Sequence, residues 1–227
     1  LFPYTTLFRS EGSGGTVVGE KYLHLRNSNV TELIEAILST EVDFVLNNLV
    51  GETSYAFLRA LDEACLRDRR TLAVLSCNFT EAEVAEVAPL RAVRLLSCGP
   101  FFESVDLDFC ARQHLQHGAQ RISHYYIGGW RAVRLFANSL REAGNSEPGA
   151  VLAALHRQHD VDSPGARSVM ARNNHACLPC YIAELQQTCF QILHREPLPV
   201  MPDPYLSATE LRESRTVAAR PALRIVK

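Results

Sequence analysis

Four groups of residues have the types and spacing that chemistry uses. Cys110, His114 and His117 recur at i, i+4 and i+7, so on a helix they share one face. A thiolate with two imidazoles is a donor set suited to zinc. No fourth donor lies near in sequence and nothing resembles a zinc signature, so the stripe is read as exposed and polar with one buried Cys. Cys177 and Cys180 form a C-x-x-C within CLPC. In a thioredoxin-like protein that pair opens a helix after a strand. Here it stands between Asn-Asn-His and the strand-like YIAEL, and no second pair supports a metal site. Asp160 and Asp162 lie near His156 and His159, which a solvated helix end explains equally well. Gly128 and Gly129 sit inside a helical pattern, IGGW, whereas a phosphate cradle belongs at a strand-to-helix turn. The two glycines are read as allowing close helix packing. No G-x-S-x-G, Walker loop or G-x-G-x-x-G occurs, and no nucleophile, base and orienting group assemble. The expectation is a protein that is not an enzyme and uses no cofactor or metal.

The bulk composition frames these groups. A chain of 227 residues, 47% hydrophobic and 21% charged, makes one large domain or two small ones. The formal net charge of -2 gives no electrostatic case for binding nucleic acid or an anionic membrane surface. No apolar run approaches the roughly 20 residues that cross a bilayer. Seven cysteines, an odd number lying mostly in apolar runs, lean to buried thiols in a reducing, cytoplasmic compartment. The opening LFPYTTLFRS, residues 1–10, resembles a translated sequencing adapter and is set aside as an artefact. The natural N-terminus is then expected to be missing, so a periplasmic location stays open.

From Gly15 onward strands and helices alternate. TVVGEKYLHL (16–25) reads as a strand, and NVTELIEAILST as a helix opened by a capping box of Asn29 and Glu32. DFVLNNLV (43–50) is a strand ending at Gly51, followed by a helix over 54–66 with Phe57, Leu58, Leu61 and Cys65 inward. A strand at 71–76, a helix capped by Thr80 and Glu83, and a strand at 92–98 follow. This rhythm predicts an α/β fold with a largely parallel sheet, whose ligands sit at strand carboxyl ends. The segments there are NNLVGE, SCNFTE and GPFFES. Three consecutive helices come next, over 107–117, 122–144 and 148–159, with Gly144 as a C-cap and Pro148 in a first turn. Short strands close the chain: ARSVMA, CYIAEL and CFQILHR.

RNNHACLPCYIAELQQTCFQILHREPLPVMPDPY (172–205) resembles the C-terminal part of the aliphatic amidase expression regulators. These are amide-sensing negative regulators of amidase operons, of the type I periplasmic-binding-protein family. The likeness is carried by Asn173, Asn174 and His175, the Ile182–Glu184 strand, and Pro202 to Tyr205. GGTVVGEKYLHL, DFVLNNLVGETSYAFLRAL, TEAEVAEV and PFFESVD match further family stretches in the same order. The resemblance implies two α/β lobes with a ligand cleft between them, here incomplete: mostly lobe two plus the returning helices of lobe one. It implies lobe two over 11–118, helices returning to lobe one over 119–163, closing strands over 164–206 and a tail over 207–227.

By position, the resemblance assigns the lobe-two wall of the ligand site to Asn48, Leu49, Val50, Gly51, Asn78, Phe79 and Thr80. Asn side chains both donate to and accept from an amide. Helix capping by Asn78 and Thr80, and turn chemistry at Asn48, remain the competing roles. Cys77, Asn78 and Phe79 stand where the regulators have Leu-Thr-Thr, and Tyr126 to Gly129 where the family has Ala-Glu-Ala-Ala; both point to a different ligand. Two functions are implied. One is a small-amide sensor acting through an antiterminator partner. The other is the substrate-binding protein of an ABC transporter, docking on a permease and taking urea, short-chain amides or branched-chain amino acids. Self-association is left open. Without a lobe-one wall, the isolated chain is expected to bind no amide tightly.

Overall fold

The computed structural model describes residues 14–24, 29–118, 121–160, 164 and 168–203. In chain order it contains α1 (Thr31–Leu38), β1 (Phe44–Leu46), α2 (Glu52–Arg67) and β2 (Leu72–Leu75). A short 3-10 turn over Glu81–Glu83 leads into α3 (Val84–Val87), then β3 (Val93–Gly99). Next come α4 (Leu107–His117), α5 (His124–Ala143) and α6 (Pro148–Leu155). The chain closes with β4 (His159–Asp160), β5 (Ser168–Met170), β6 (Ala176–Cys177), β7 (Tyr181–Gln186) and β8 (Cys189–Arg195).

Five strands form one sheet in the order β1-β2-β3-β7-β8. The first three are parallel, with Leu46 opposite Leu75 and Leu75 opposite Leu96. β7 then joins β3 antiparallel and turns through a hairpin into β8. β4, β5 and β6 make a separate antiparallel sheet. The main core lies where α2 covers the parallel strands. Phe57, Leu58, Leu61 and Cys65 follow the helical period and are all buried, against Val74 and Leu95 from the sheet. Each such large side chain contributes about 1.5–3 kcal/mol of transfer free energy. The antiparallel hairpin adds Tyr181, Ala183 and Phe190 to the same core. A second cluster joins Phe101, Phe109, Cys110, Ile122 and Ile127 at the base of α4 and α5.

One buried carboxylate organises the entrance to β3. Asp62, on α2, accepts with one oxygen from the backbone N–H groups of Arg91, Ala92 and Val93 at 2.9, 2.7 and 2.8 Å. The donors that a strand start leaves open are thereby satisfied.

Several helix ends follow local rules. The Ser123 hydroxyl accepts from Tyr126 N–H to open α5, and Gly144 closes it in the left-handed conformation. Pro148 occupies the first turn of α6. Other expectations are corrected. Residues 16–24 form no strand and pair with none among the described residues, and Val18 and Tyr22 are exposed. Leu25, the last residue of that expected strand, lies outside the described residues. The Asn29 capping box does not form. Val30 takes the cap position, and the Asn29 side chain accepts instead from Thr31 N–H at 3.3 Å. The β1 strand covers only Phe44–Leu46 of the expected 43–50. His159 and Asp160 are strand rather than helix end, because they pair with Val169 and Ser168 of β5. A Cβ on Gly128 or Gly129 would meet nothing within 4 Å, so these exposed glycines do not serve close packing. Asp162 lies outside the described residues, as do residues 1–13.

Candidate functional site

A cleft of about 190 Å³ opens at the carboxyl ends of β1 and β2. Leu49, Val50 and Gly51 come from the turn after β1, and Ser54 and Tyr55 from the first turns of α2. Asn78 and Phe79 follow β2, Glu83 closes the 3-10 turn, and Tyr125 reaches in from the start of α5.

A polar network shapes the two turns. Asn47 is buried, and its Nδ2 donates to the hydroxyls of Ser54 at 2.9 Å and Ser76 at 3.3 Å. Its Oδ1 accepts from Leu49 N–H at 3.0 Å, which bends the chain sharply after β1. Gly51 follows at φ 58° and ψ -142°, a conformation open to glycine, and starts α2. Asn78 Nδ2 donates to the Leu49 carbonyl at 2.8 Å, and its Oδ1 accepts from the Ser76 hydroxyl at 3.0 Å. One amide thus joins the β1 and β2 turns.

Below the polar layer the floor is aromatic. Phe79 is buried and meets Tyr55 edge-on, with ring centroids 6.4 Å apart. Its carbonyl accepts from the buried Ser97 hydroxyl at 2.7 Å, which pins the turn to β3. Thr80 and Glu83 form the expected capping box. Glu83 Oε2 accepts from Thr80 N–H at 2.7 Å and from its hydroxyl at 2.6 Å, while that hydroxyl accepts from Ala82 N–H. Burial raises the Tyr55 phenol above its ordinary value, assisted by the carboxylates of Glu83, Glu86 and Glu52, so it remains a hydrogen-bond donor at neutral pH. The His124 and Tyr125 rings meet at a tilt of 53° with centroids 4.2 Å apart, and burial lowers the His124 pKa, favouring the neutral ring.

The residues singled out in the sequence divide clearly. Leu49, Val50, Gly51, Asn78 and Phe79 come together around the cleft. Asn48 is exposed and outside the lining, while its neighbour Asn47 turns inward and holds the network. Thr80 is fully buried with its hydroxyl committed to the cap. Sequence reasoning passed over Ser54, Tyr55 and Tyr125, included Asn47 only within the NNLVGE segment and gave Glu83 only a capping role. Ser54 and Tyr55 stand one α-helical step past the Gly51 turn, a signal that was available. Tyr125 carries no local signal, because a fold contact alone brings α5 to the cleft. GPFFES contributes no lining residue: Phe101 and Phe102 are fully buried.

The other chemical groups do not converge. Cys110 is buried, with its thiol pushed up to about 12 by burial and by Glu103, Asp106 and Glu81. His114 stands 3.8 Å from a Glu103 oxygen, and His117 is exposed. Among the described residues, no group of three His, Cys, Asp or Glu could hold a metal ion. Cys177 contacts Met201 sulfur at 3.1 Å, whereas Cys180 lies 3.5 Å from Cys98. The C-x-x-C pair therefore points to two different neighbours.

A mixed α/β sheet with a cleft at the carboxyl ends of its parallel strands has the crevice where ligands of open α/β sheets bind. The chain belongs to the periplasmic binding protein domain family, which matches it over residues 6–211. Solved structures show the type I form of that fold. The solute-binding protein of an ABC transporter from R. palustris, in complex with benzoate, aligns with a TM-score of 0.72 at 16% identity, covering 84% of this chain and 52% of that one. A leucine-, isoleucine-, valine-, threonine- and alanine-binding protein from Brucella ovis aligns at 0.70 and 15%, covering 96% and 58%. A branched-chain amino acid ABC transporter protein from Thermus thermophilus with bound valine aligns at 0.65 and 12%, covering 88% and 56%. The chain thus spans little more than half the length of these structures. Among the described residues, no helix is long and apolar enough to cross a membrane.

Proposed function

We propose that the complete protein is the solute-binding component of an ABC importer, docking on a membrane permease and working without catalysis. The observation that carries this reading is the cleft at the carboxyl ends of β1 and β2, in a fold whose solved relatives include transporter receptors. The proposed ligand wall is Leu49, Val50, Gly51, Asn78 and Phe79, with Asn48 and Thr80 shaping the turns. Leu49, Val50, Tyr55 and Phe79 offer apolar contact, and Asn78 and Glu83 supply polar groups at the margin. That mixture suits a branched-chain amino acid better than urea: the side chain finds an apolar wall, and the ammonium group finds a carboxylate. In this reading residues 11–118 with β7 and β8 form one lobe, and 119–163 with the three-stranded sheet lead to the other. The ligand closes the two by binding the closed form more tightly.

A second reading is the amide sensor with an antiterminator partner, working in the cytoplasm. It is favoured by the motifs of the C-terminal stretch, which close on one another: the Asn173 side chain donates to the Pro202 carbonyl at 3.3 Å and accepts from His175 N–H at 3.1 Å. Calorimetric titration of the complete protein with leucine, valine, benzoate, acetamide and urea separates the two. Saturable heat with leucine or valine is expected. Heat with acetamide alone selects the sensor, and heat with none of the five overturns both.

A further inference from the structure

The chain leaves the five-stranded sheet at the end of β3 and returns to it at the start of β7. Everything between, α4 to α6 and the three-stranded sheet, hangs from that neck. Cys98 and Cys180 stand on its two sides, 82 residues apart in sequence, with their sulfurs 3.5 Å apart. The register explains the meeting. Cys98 lies opposite Ile182, and Cys180 precedes Ile182 by two residues, so all three share one face of the sheet. Both thiols are free and half-buried.

We propose that Cys98 and Cys180 are a thiol–disulfide site, oxidised by low-molecular-weight disulfides such as oxidised glutathione, and that the bond staples the neck. A disulfide needs its sulfurs about 2.05 Å apart, so closure requires an approach of roughly 1.5 Å, and because the pair is diagonal across the two strands it draws the strand ends together as well as turning the side chains. Burial and its neighbour Cys180 raise the pKa of the Cys98 thiol, and the proposed order gives the first attack to Cys180. The Cys180 thiolate attacks one sulfur of oxidised glutathione, forming a mixed disulfide and releasing a glutathione thiolate. That thiolate takes the Cys98 proton. The Cys98 sulfur then attacks Cys180, forms the protein disulfide and releases the second glutathione as a thiolate, which is protonated by solvent. Two protein thiols are oxidised by two electrons, and one glutathione disulfide becomes two thiols. The bond would restrain the strand ends through which the excursion joins the sheet. Cys77, exposed on the turn after β2, is close enough to perturb Cys98 and is the competing partner. The proposal is independent of the importer reading.

The test takes the reduced full chain, exposes it to oxidised glutathione, blocks the remaining thiols by alkylation and maps the peptides by mass spectrometry. The expected result is a Cys98–Cys180 peptide pair, reversed by dithiothreitol and retained in Cys77→Ser. Cys98→Ser is expected to trap glutathione on Cys180. A dominant pair involving Cys77, or a Cys177–Cys180 pair, overturns the proposal. So does a chain in which Cys77 and Cys189 carry glutathione while Cys98 and Cys180 remain alkylatable. Mapping of the unsubstituted chain decides the matter even if a variant fails to fold.

Discussion

Asn78 ties the turn after β2 to the turn after β1 by a single hydrogen bond, its Nδ2 donating to the Leu49 carbonyl at 2.8 Å. The same amide accepts from Ser76 at 3.0 Å, so both ends of one side chain are engaged in holding the cleft open. Asn78→Ala is expected to destabilise the chain by about 1–2 kcal/mol, the loss of two partly buried hydrogen bonds. Asn78→Asp keeps the acceptor for Ser76 but turns a carboxylate oxygen toward the Leu49 carbonyl, and should cost at least as much. Urea unfolding midpoints of the two variants against the parent check this; an unchanged midpoint for both would remove the amide from the architecture of the cleft.

Gly51 makes the turn into α2 at a positive φ of 58°. A Cβ there would meet nothing within 4 Å, so crowding plays no part in its requirement. The strain of Gly51→Ala is purely conformational, about 1–3 kcal/mol for a backbone region closed to other residues. Thermal unfolding should show that loss, while Gly128→Ala, in open space within α5, is expected to raise stability by roughly 0.5–1 kcal/mol through helix propensity.

Glu81 is 2% exposed, and one of its carboxyl oxygens has no partner. Burial pushes its pKa from the ordinary 4.5 up to about 7, against the opposing pull of the Glu103 backbone N–H. The folded state therefore holds this proton more tightly than the unfolded state. The resulting stabilisation is complete below pH 4.5 and is lost as pH rises to about 7, up to roughly 3 kcal/mol by linkage. Glu81→Gln keeps an acceptor for Glu103 N–H and removes the charge. Its unfolding free energy should lose that slope between these two pH values and exceed the parent's above neutrality. Parallel slopes for the two proteins would show that Glu81 does not titrate in that range.

Much of the local architecture was legible in the residues themselves. The Thr80–Glu83 box, the Gly144 stop and Pro148 in a first turn act through atoms a few residues apart, so their spacing suffices to read them. The helix over 107–117 and the strand over 189–195 emerged with the bounds that their periodicity sets. The α2 face was readable too, because Phe57, Leu58, Leu61 and Cys65 recur at the helical period.

What stayed hidden depends on partners distant in sequence. A β-rich segment becomes a strand only by pairing with another, and residues 16–24, for all their β-branched content, pair with none among the described residues. Which of two adjacent asparagines turns inward is decided by the pleat: Asn47 faces Ser54 and Ser76, so Asn48 faces out. The meeting of Cys180 with Cys98 rather than Cys177 follows from the antiparallel register of β7 on β3. Residue types and short spacings therefore determined the helices, several of their ends and the α/β class. Only the tertiary structure decided the sheet order, the cleft's far wall at Tyr125 and the pairing of thiols, because strand register is set by backbone hydrogen bonds between segments that no local pattern links.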